Sequence, residues 1–390
     1  MEPTKHPMYP WLSGIRRDFH RHPETGLKEY RTTARIREIL GELGVEIQEL
    51  PGVETGTAAL ITGQARDRTL AFRADIDALP IQELNDVPYR SAHDGVMHAC
   101  GHDAHTTILL GVIKHLVESG LNRQIKGRLK FIFQPAEEIA GGAKRMIQAG
   151  VLQNPPVDRM ITAHVIPDLP VGQVGLIQGP SHAAADSFRM TIQGKGGHGA
   201  RPNQANDPIV AGTQFYQAVQ TIVSRNVNPL DPAVITVGKF HAGSAGNIIP
   251  EKAVLEGTVR TFSAEARETI MKRLEEIVAG VEKTFQVKTD FHFREGVPVC
   301  HNDETVVAFL SEAAGKVLGK ENVVHLPQTM GAEDVAFFHR EVPGAVIRLG
   351  CSNDSKDLTG RLHSPHFDLD EGVLPVGLEV FLEAIRSYLG

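Results

Sequence analysis

The feature that most limits what this chain can fold into is an alternation of extended and helical apolar runs, with chemistry placed at the ends of the extended ones. Leu70–Ala74 reads as a strand that runs into Asp75-Ile76-Asp77. Arg128–Gln134, in which Leu129, Phe131 and Phe133 alternate, is a second strand. It stops at Pro135 and leads into Glu137-Glu138. Asp158–Ala163 is a third, with His164 at its end, and a helix over Asp103–Glu118 opens just after Cys100-Gly101-His102. Strands that alternate with helices form a largely parallel sheet covered on both faces. In such sheets ligands gather beyond the carboxyl ends of the strands. Topology alone therefore carries these acids, imidazoles and the thiol toward one rim.

The same pattern predicts helices at Tyr9–His22 and Thr32–Leu43 and a strand at Ala58–Thr62 before this region. Its character changes after Gly179-Pro180. There the order becomes strand Ser187–Gln193, helix from Pro208 to Ser224, strands Val234–Phe240 and Ala253–Arg260, a long helix capped by Ser263, and strand Val287–Phe293. That β-α-β-β-α-β order is a split ferredoxin-like unit. The chain then returns with a helix at Glu304–Leu318, a strand at Ala345–Leu349 and a closing helix at Glu371–Leu389. The expected fold is α/β: a mixed, mostly parallel α/β/α domain from 1–180 and 296–390, interrupted by an α+β domain over 181–295.

A length of 390 residues exceeds one ordinary hydrophobic core, which agrees with two domains. The net charge of −7, with basic residues dispersed, argues against a nucleic-acid partner. No apolar run is long enough to span a bilayer, and the N-terminus lacks the basic and apolar sections of a signal peptide. Three widely separated cysteines imply no disulfide framework, so a reducing cytosol is the expected compartment.

Met97-His98-Ala99-Cys100-Gly101-His102-Asp103-Ala104-His105 places a thiol and three imidazoles in nine residues. Thiolate and imidazole suit borderline-soft divalent metals. A buried cysteine with histidines beside a helix would read the same, so the partners at the rim decide. Asp75 and Asp77 could bind a metal or orient a ligand, or simply close a hydrogen-bonded turn. In Glu137-Glu138, adjacent carboxylates point in different directions, and one could bind metal while the other takes a proton from water. Gly194–Gly199 lacks the Gly-Lys-[Ser/Thr] ending of a phosphate loop, and its His198 is equally well an exposed loop imidazole. No Gly-x-Ser-x-Gly elbow is present. His20, His22, His105, His115 and His241 read as structural or surface residues. His98 and His366 lie beside candidate ligands, and Cys300 and Cys351 read as small core residues.

Taken together, Arg21-His22-Pro23-Glu24, Arg73-Ala74-Asp75-Ile76-Asp77, Met97–Asp103, Gln134-Pro135-Ala136-Glu137-Glu138, Gly196-Gly197-His198, Asn247-Ile248-Ile249-Pro250 and His363-Ser364-Pro365 carry a resemblance over essentially the whole chain. It resembles the aminoacylase-like two-metal metallopeptidases, in the subgroup of hippurate hydrolases and plant auxin-conjugate amidohydrolases. The resemblance implies two divalent ions (zinc, manganese, cobalt or nickel) held by Cys100, His102, Glu138, His164 and His363, with Cys100 as the bridge. Arg73 stands where the wider superfamily has a metal-binding histidine, so ligand sets from distant relatives do not transfer. The resemblance also implies Glu137 as general acid/base, and His198 with Asn247 as stabilisers of the oxyanion, acting in their own or a partner's active site. Asn247 or Arg260 would hold a substrate carboxylate, Asp75 would support a ligand, and the inserted domain would serve as a lid or in a homodimer or homotetramer. The implied reaction is hydrolysis of N-acyl amino acids. A dipeptidase or carboxypeptidase with the same centre, and a non-catalytic scaffold, are the alternative readings.

Overall fold

In the computed structural model, which describes residues 2–356, 358 and 360–390, the chain divides into two compact units. The first comprises Met1–Ser181, His301–Pro327 and Asp334–Gly390; the second comprises His182–Cys300 and Gln328–Glu333.

The first unit is built on an eight-stranded mixed sheet. At its centre Arg128–Gln134, Thr69–Asp75, Arg159–Pro170 and Gly344–Ser352 run parallel. Thr57–Thr62 and Glu46–Gln48 extend one edge with antiparallel pairs. On the other side Val174–Leu176 pairs antiparallel with Gly344–Ser352 and parallel with Val323–His325. The alternation read in Arg128–Gln134 sets the layers. Leu129, Phe131 and Phe133 join Leu70 and Phe72 in a core shared with helices Tyr9–Arg21, His102–Glu118, Glu304–Leu318 and Val373–Leu389. Phe72 stacks on Phe131 and tilts against Phe381, with ring centroids 5.8 and 4.8 Å away. Lys130, on the opposite face, is fully buried, and its Nζ donates to the carbonyls of Val151, Gln153 and Pro155. A buried ammonium is tolerated when its donors are satisfied in this way.

The strand expected to end at Ala163 continues to Pro170. Beyond Ala163 it has a partner that the local sequence does not reveal, since Val165 and Ile166 pair with Leu349 and Gly350 of the long strand beside it. His164 therefore lies within a strand rather than after one. Its height in the sheet is unchanged: Arg73 pairs with Thr162, so His164 is level with Asp75 at the end of the neighbouring strand. The short outer strands Glu46–Gln48, Val174–Leu176 and Val323–His325 lie outside the elements predicted from periodicity.

The second unit is a four-stranded antiparallel sheet in the order Ala233–Ala242, Lys252–Thr261, Ala184–Gln193, Lys288–Val297. Helices Pro208–Arg225 and Ala264–Phe285 pack against it over Phe188, Met190, Phe215, Leu255, Ile270 and Leu274. Both helices start on side-chain caps: Asp207 accepts from the Ile209 amide and Ser263 from the Ala266 amide. This is the ferredoxin-like strand order.

Phe72 anchors the central sheet to the closing helix without any polar role. Phe72→Ala is expected to destabilise the first unit by about 3–5 kcal/mol, read as a lowered denaturation midpoint. A loss below about 1 kcal/mol, the scale of an ordinary surface substitution, would remove it from the core.

Candidate metal centre

Three segments at the carboxyl rim of the central strands, together with one distant loop, bring the sulfur, imidazole and carboxylate donors together. Gly101 adopts a left-handed conformation with φ 82°, and the helix begins at His102. A Cβ at Gly101 would sit 2.3 Å from the Val165 side chain, so only glycine lets this turn approach the strand that carries His164. As a result Cys100 Sγ lies 3.4 Å from His164 Nε2. At the end of Arg128–Gln134, which Thr69–Asp75 separates from the His164 strand, Ala136 holds φ 54° ahead of Glu137-Glu138, its amide tied to Glu29 Oε1 at 2.8 Å. The loop bearing His363 is fixed by the His363 amide, which donates to the Ala99 carbonyl at 2.8 Å. His363 itself takes φ 62°, and its Nε2 comes within 3.4 Å of Glu138 Oε1.

The hydrogen bonds decide which ring nitrogens are available. His102 Nδ1 faces the Asp77 carbonyl at 2.9 Å and Asp77 Oδ1 at 3.2 Å. His164 Nδ1 faces the Val165 carbonyl at 2.7 Å. Carbonyl oxygens only accept, so both Nδ1 atoms carry a proton and Nε2 is the ring nitrogen left to face the other donors. His102 Nε2 and Glu138 Oε1 are buried without a protein hydrogen-bond partner, which is costly unless a cation or water meets them.

Among the described residues five groups of such donors have their atoms within 4.8 Å of one another, and two of them contain Cys100: Cys100 with His102 and His164, and Cys100 with Glu138 and His363. They share Cys100. The donor chemistry fits two borderline divalent ions bridged by a thiolate. Burial pushes the Cys100 thiol up to about 12. Burial likewise holds the His164 imidazole well below its usual range, leaving it neutral and able to donate its lone pair. For Glu138, burial raises the carboxyl, but His363 and the charge of His102 outweigh it and hold the group below its ordinary value. Deprotonating a buried thiol is what a bound cation accomplishes, so metal binding here would release a proton.

The acids behind the donors hold imidazoles and a guanidinium. Asp75, expected to support a ligand, bonds Arg73 at 2.7 Å and His105 at 2.6 Å, and lies 3.7 Å from His102 Nε2. Asp77 is the acid that orients His102; it also accepts the Glu138 amide at 3.1 Å. His105 has the structural role of the two read for it. It is buried, its Nδ1 bonds Asp75, and its Nε2 accepts the Val165 amide at 2.9 Å, so both nitrogens are used and neither can bind metal. A second buried network lies behind the His102 turn. Asp103 accepts from Arg16 Nε at 2.8 Å and from His20 Nδ1 at 2.7 Å, and Arg16 also donates to Asp368. His98 is buried with neither nitrogen partnered by protein, and burial lowers its pKa to about 3. Cys300 and Cys351 are buried, as expected of small core residues.

The remaining predicted residues belong to the second unit. His198 and Asn247 come together there: Ile248 pairs with His198, and the Gly199 amide donates to the Asn247 carbonyl at 2.9 Å. His198 is exposed, and its Nδ1 accepts the Ala200 amide at 3.0 Å, which leaves Nε2–H as an outward donor. Arg260 lies on Lys252–Thr261, opposite Ala185 and Val234.

Comparison with known proteins agrees with this chemistry. Residues 71–387 match the model of peptidase family M20/M25/M40. The chain is 41% identical over 372 residues to an N-acetylcysteine deacetylase of Bacillus subtilis, covering 95% of each chain. It is 37% identical to an IAA-amino acid hydrolase of Arabidopsis thaliana, covering 98% of this chain and 86% of that one. A crystal structure of a dinuclear metal-binding peptidase from Bacillus subtilis superposes with a TM-score of 0.85 at 37% identity, covering 98% of both chains. The matched span and these relatives show that the chain belongs to peptidase family M20/M25/M40 and is a metal-dependent amidohydrolase.

Proposed function

We propose that the chain hydrolyses the amide bond of N-acyl amino acids, releasing a carboxylic acid and the free amino acid. The observation that carries this reading is the pair of donor groups sharing Cys100, with Glu137 next in sequence to the Glu138 that belongs to one of them. The named activities of the relatives, deacetylation of N-acetylcysteine and hydrolysis of an IAA-amino acid, are of this class. Cys100, His102, Glu138, His164 and His363 would hold two divalent ions, with zinc, manganese, cobalt and nickel all compatible with the donors. Such ions supply Lewis acidity toward the amide carbonyl and lower the pKa of water near them.

The protein's own groups do the rest. Glu137 removes a proton from the attacking water and returns it to the leaving amine. Asp77 keeps His102 in the tautomer that presents Nε2. His198, with Nδ1 occupied and Nε2–H outward, is suited to donate to the oxyanion of the tetrahedral intermediate. Asn247 and Arg260 are the groups we assign to the substrate carboxylate. The three cysteines are buried and far apart in sequence, and we propose a reducing cytosol as the compartment. Among the described residues no helix is long and apolar enough to cross a membrane.

The second unit also presents an uncovered apolar face. Tyr216, Leu230, Val234 and Phe240 are exposed on or beside the helix Pro208–Arg225 and the edge strand Ala233–Ala242. An unpaired ten-residue edge flanked by apolar side chains is a template for a second strand. We propose that a second copy of the chain pairs there.

Glu137→Gln is expected to retain its metal content while kcat falls by about 10²–10⁴-fold, measured as amino-acid release from a panel of N-acetyl, N-benzoyl and dipeptide substrates. Near-native turnover would remove Glu137 from proton transfer, and a clear preference for dipeptides would favour the peptidase reading. For assembly, Val234→Arg combined with Tyr216→Arg should convert a species of two or more chains to one chain in light scattering. A single-chain mass for the unmodified protein would refute the proposed pairing.

A further inference from the structure

We propose that Arg73 and Asp334 are positioning residues for Glu137: the Asp334 backbone amide holds its carboxylate, and the Arg73 guanidinium anchors Asp334. The inference rests on Glu137 being the proton-transferring group. The Asp334 amide donates to Glu137 Oε1 at 3.3 Å. Asp334 lies before the short helix Ala336–His339, in a stretch outside any strand, so no sheet ladder fixes its backbone. Its own carboxylate does so instead. Oδ1 accepts from Arg73 Nη2 at 2.9 Å and from Gln134 Nε2 at 2.8 Å, and Oδ2 accepts from the same Gln134 amide at 2.9 Å.

Arg73 and Gln134 sit on adjacent central strands, near the ends that lead to Asp75 and to Glu137-Glu138. The Arg73 side chain is fully buried and spends its rigid fork in three directions: Nε to Gln134 Oε1 at 2.8 Å, Nη1 to Asp75 Oδ2 at 2.7 Å, and Nη2 to Asp334. A guanidinium cannot bind a cation, so its place at this rim serves geometry. One arm reaches the acid that holds His105; the other reaches the loop that touches Glu137. The turn between is also tight. A Cβ on Gly142 would lie 1.6 Å from the Pro135 carbonyl oxygen, and the next amide, Ala143, approaches Asp334 Oδ2 at 3.4 Å. A long amide contact adds little binding by itself. Its effect is to restrict the swing of the carboxylate, and small misplacement of a proton-transfer group is costly in rate.

A purely structural staple would show the same bonds, so the test must read action through Glu137. Asp334→Asn keeps the shape and the amide but loses the charge; Arg73→Lys keeps the charge but loses the fork. Each is measured alone and combined with Glu137→Gln, with metal content and thermal midpoint recorded for every variant. Alone, each should lower kcat by about 10–100-fold with metal content retained, the scale of losing an outer-shell partner. KM should stay within about twofold, because the lost interaction acts on the transition state. In the Glu137→Gln background each should change the residual rate by less than about twofold, because residues acting as one unit are not additive. Native kcat in Asp334→Asn, or the same loss in both backgrounds, overturns the inference. Should Asp334→Asn fail to fold, Arg73→Lys decides by the same two criteria. Near-native activity of Glu137→Gln itself would instead defeat the underlying assignment of Glu137.

Discussion

The rest of the molecule is arranged around one buried knot of ligand atoms. His102 and His164 each use Nδ1 on a carbonyl oxygen, so both turn Nε2 toward Cys100 and Glu138. His102 Nε2 and Glu138 Oε1 are buried and lack a protein hydrogen bond. Donor atoms gathered in a low dielectric are stabilised when positive charge is placed among them. Two cations would satisfy every donor, and Cys100, common to both groups, is the atom they would share.

Such a cluster needs a frame that does not relax. Parallel strands with aromatic packing on one face provide it, and the register that levels His164 with Asp75 sets the depth of the donors. Around that frame, buried charge is used for geometry. Arg73 ties two strand ends to the loop at Asp334, and Arg16 with His20 holds Asp103, the residue after His102. Removing one partner from such a set strands the other without compensation, at a cost of roughly 3–5 kcal/mol. Positional accuracy at the site and stability of the first unit therefore rest on the same bonds.

Much of this was legible in the sequence because it is local. The alternation in Arg128–Gln134, the cap at Ser263, and the helix Glu304–Leu318 depend on near neighbours. The gathering of Cys100, His102, Glu138 and His164 followed from one topological rule about strand ends. What escaped depends on distant partners. The strand through His164 runs on because Gly344–Ser352 lies beside it, and the strands Val174–Leu176 and Val323–His325 are too short to show a period. Asp75 and Asp77 are two residues apart on one turn, and only coordinates tell which of them touches His102. Asp334 carried no signal, because a loop acid reveals nothing until the arginine it meets is known. His363 emerged from family resemblance alone; a left-handed loop residue tied to the Ala99 carbonyl has no periodic signature.

The central claim is that one thiolate joins two metal ions in a five-residue donor set. X-ray absorption on protein reconstituted with zinc, together with a metal count per chain, tests it most directly. The account predicts two ions per chain, each with a sulfur neighbour at about 2.3 Å, and loss of sulfur scattering from both in Cys100→Ser. One ion per chain, or a zinc shell of nitrogen and oxygen only, would contradict it.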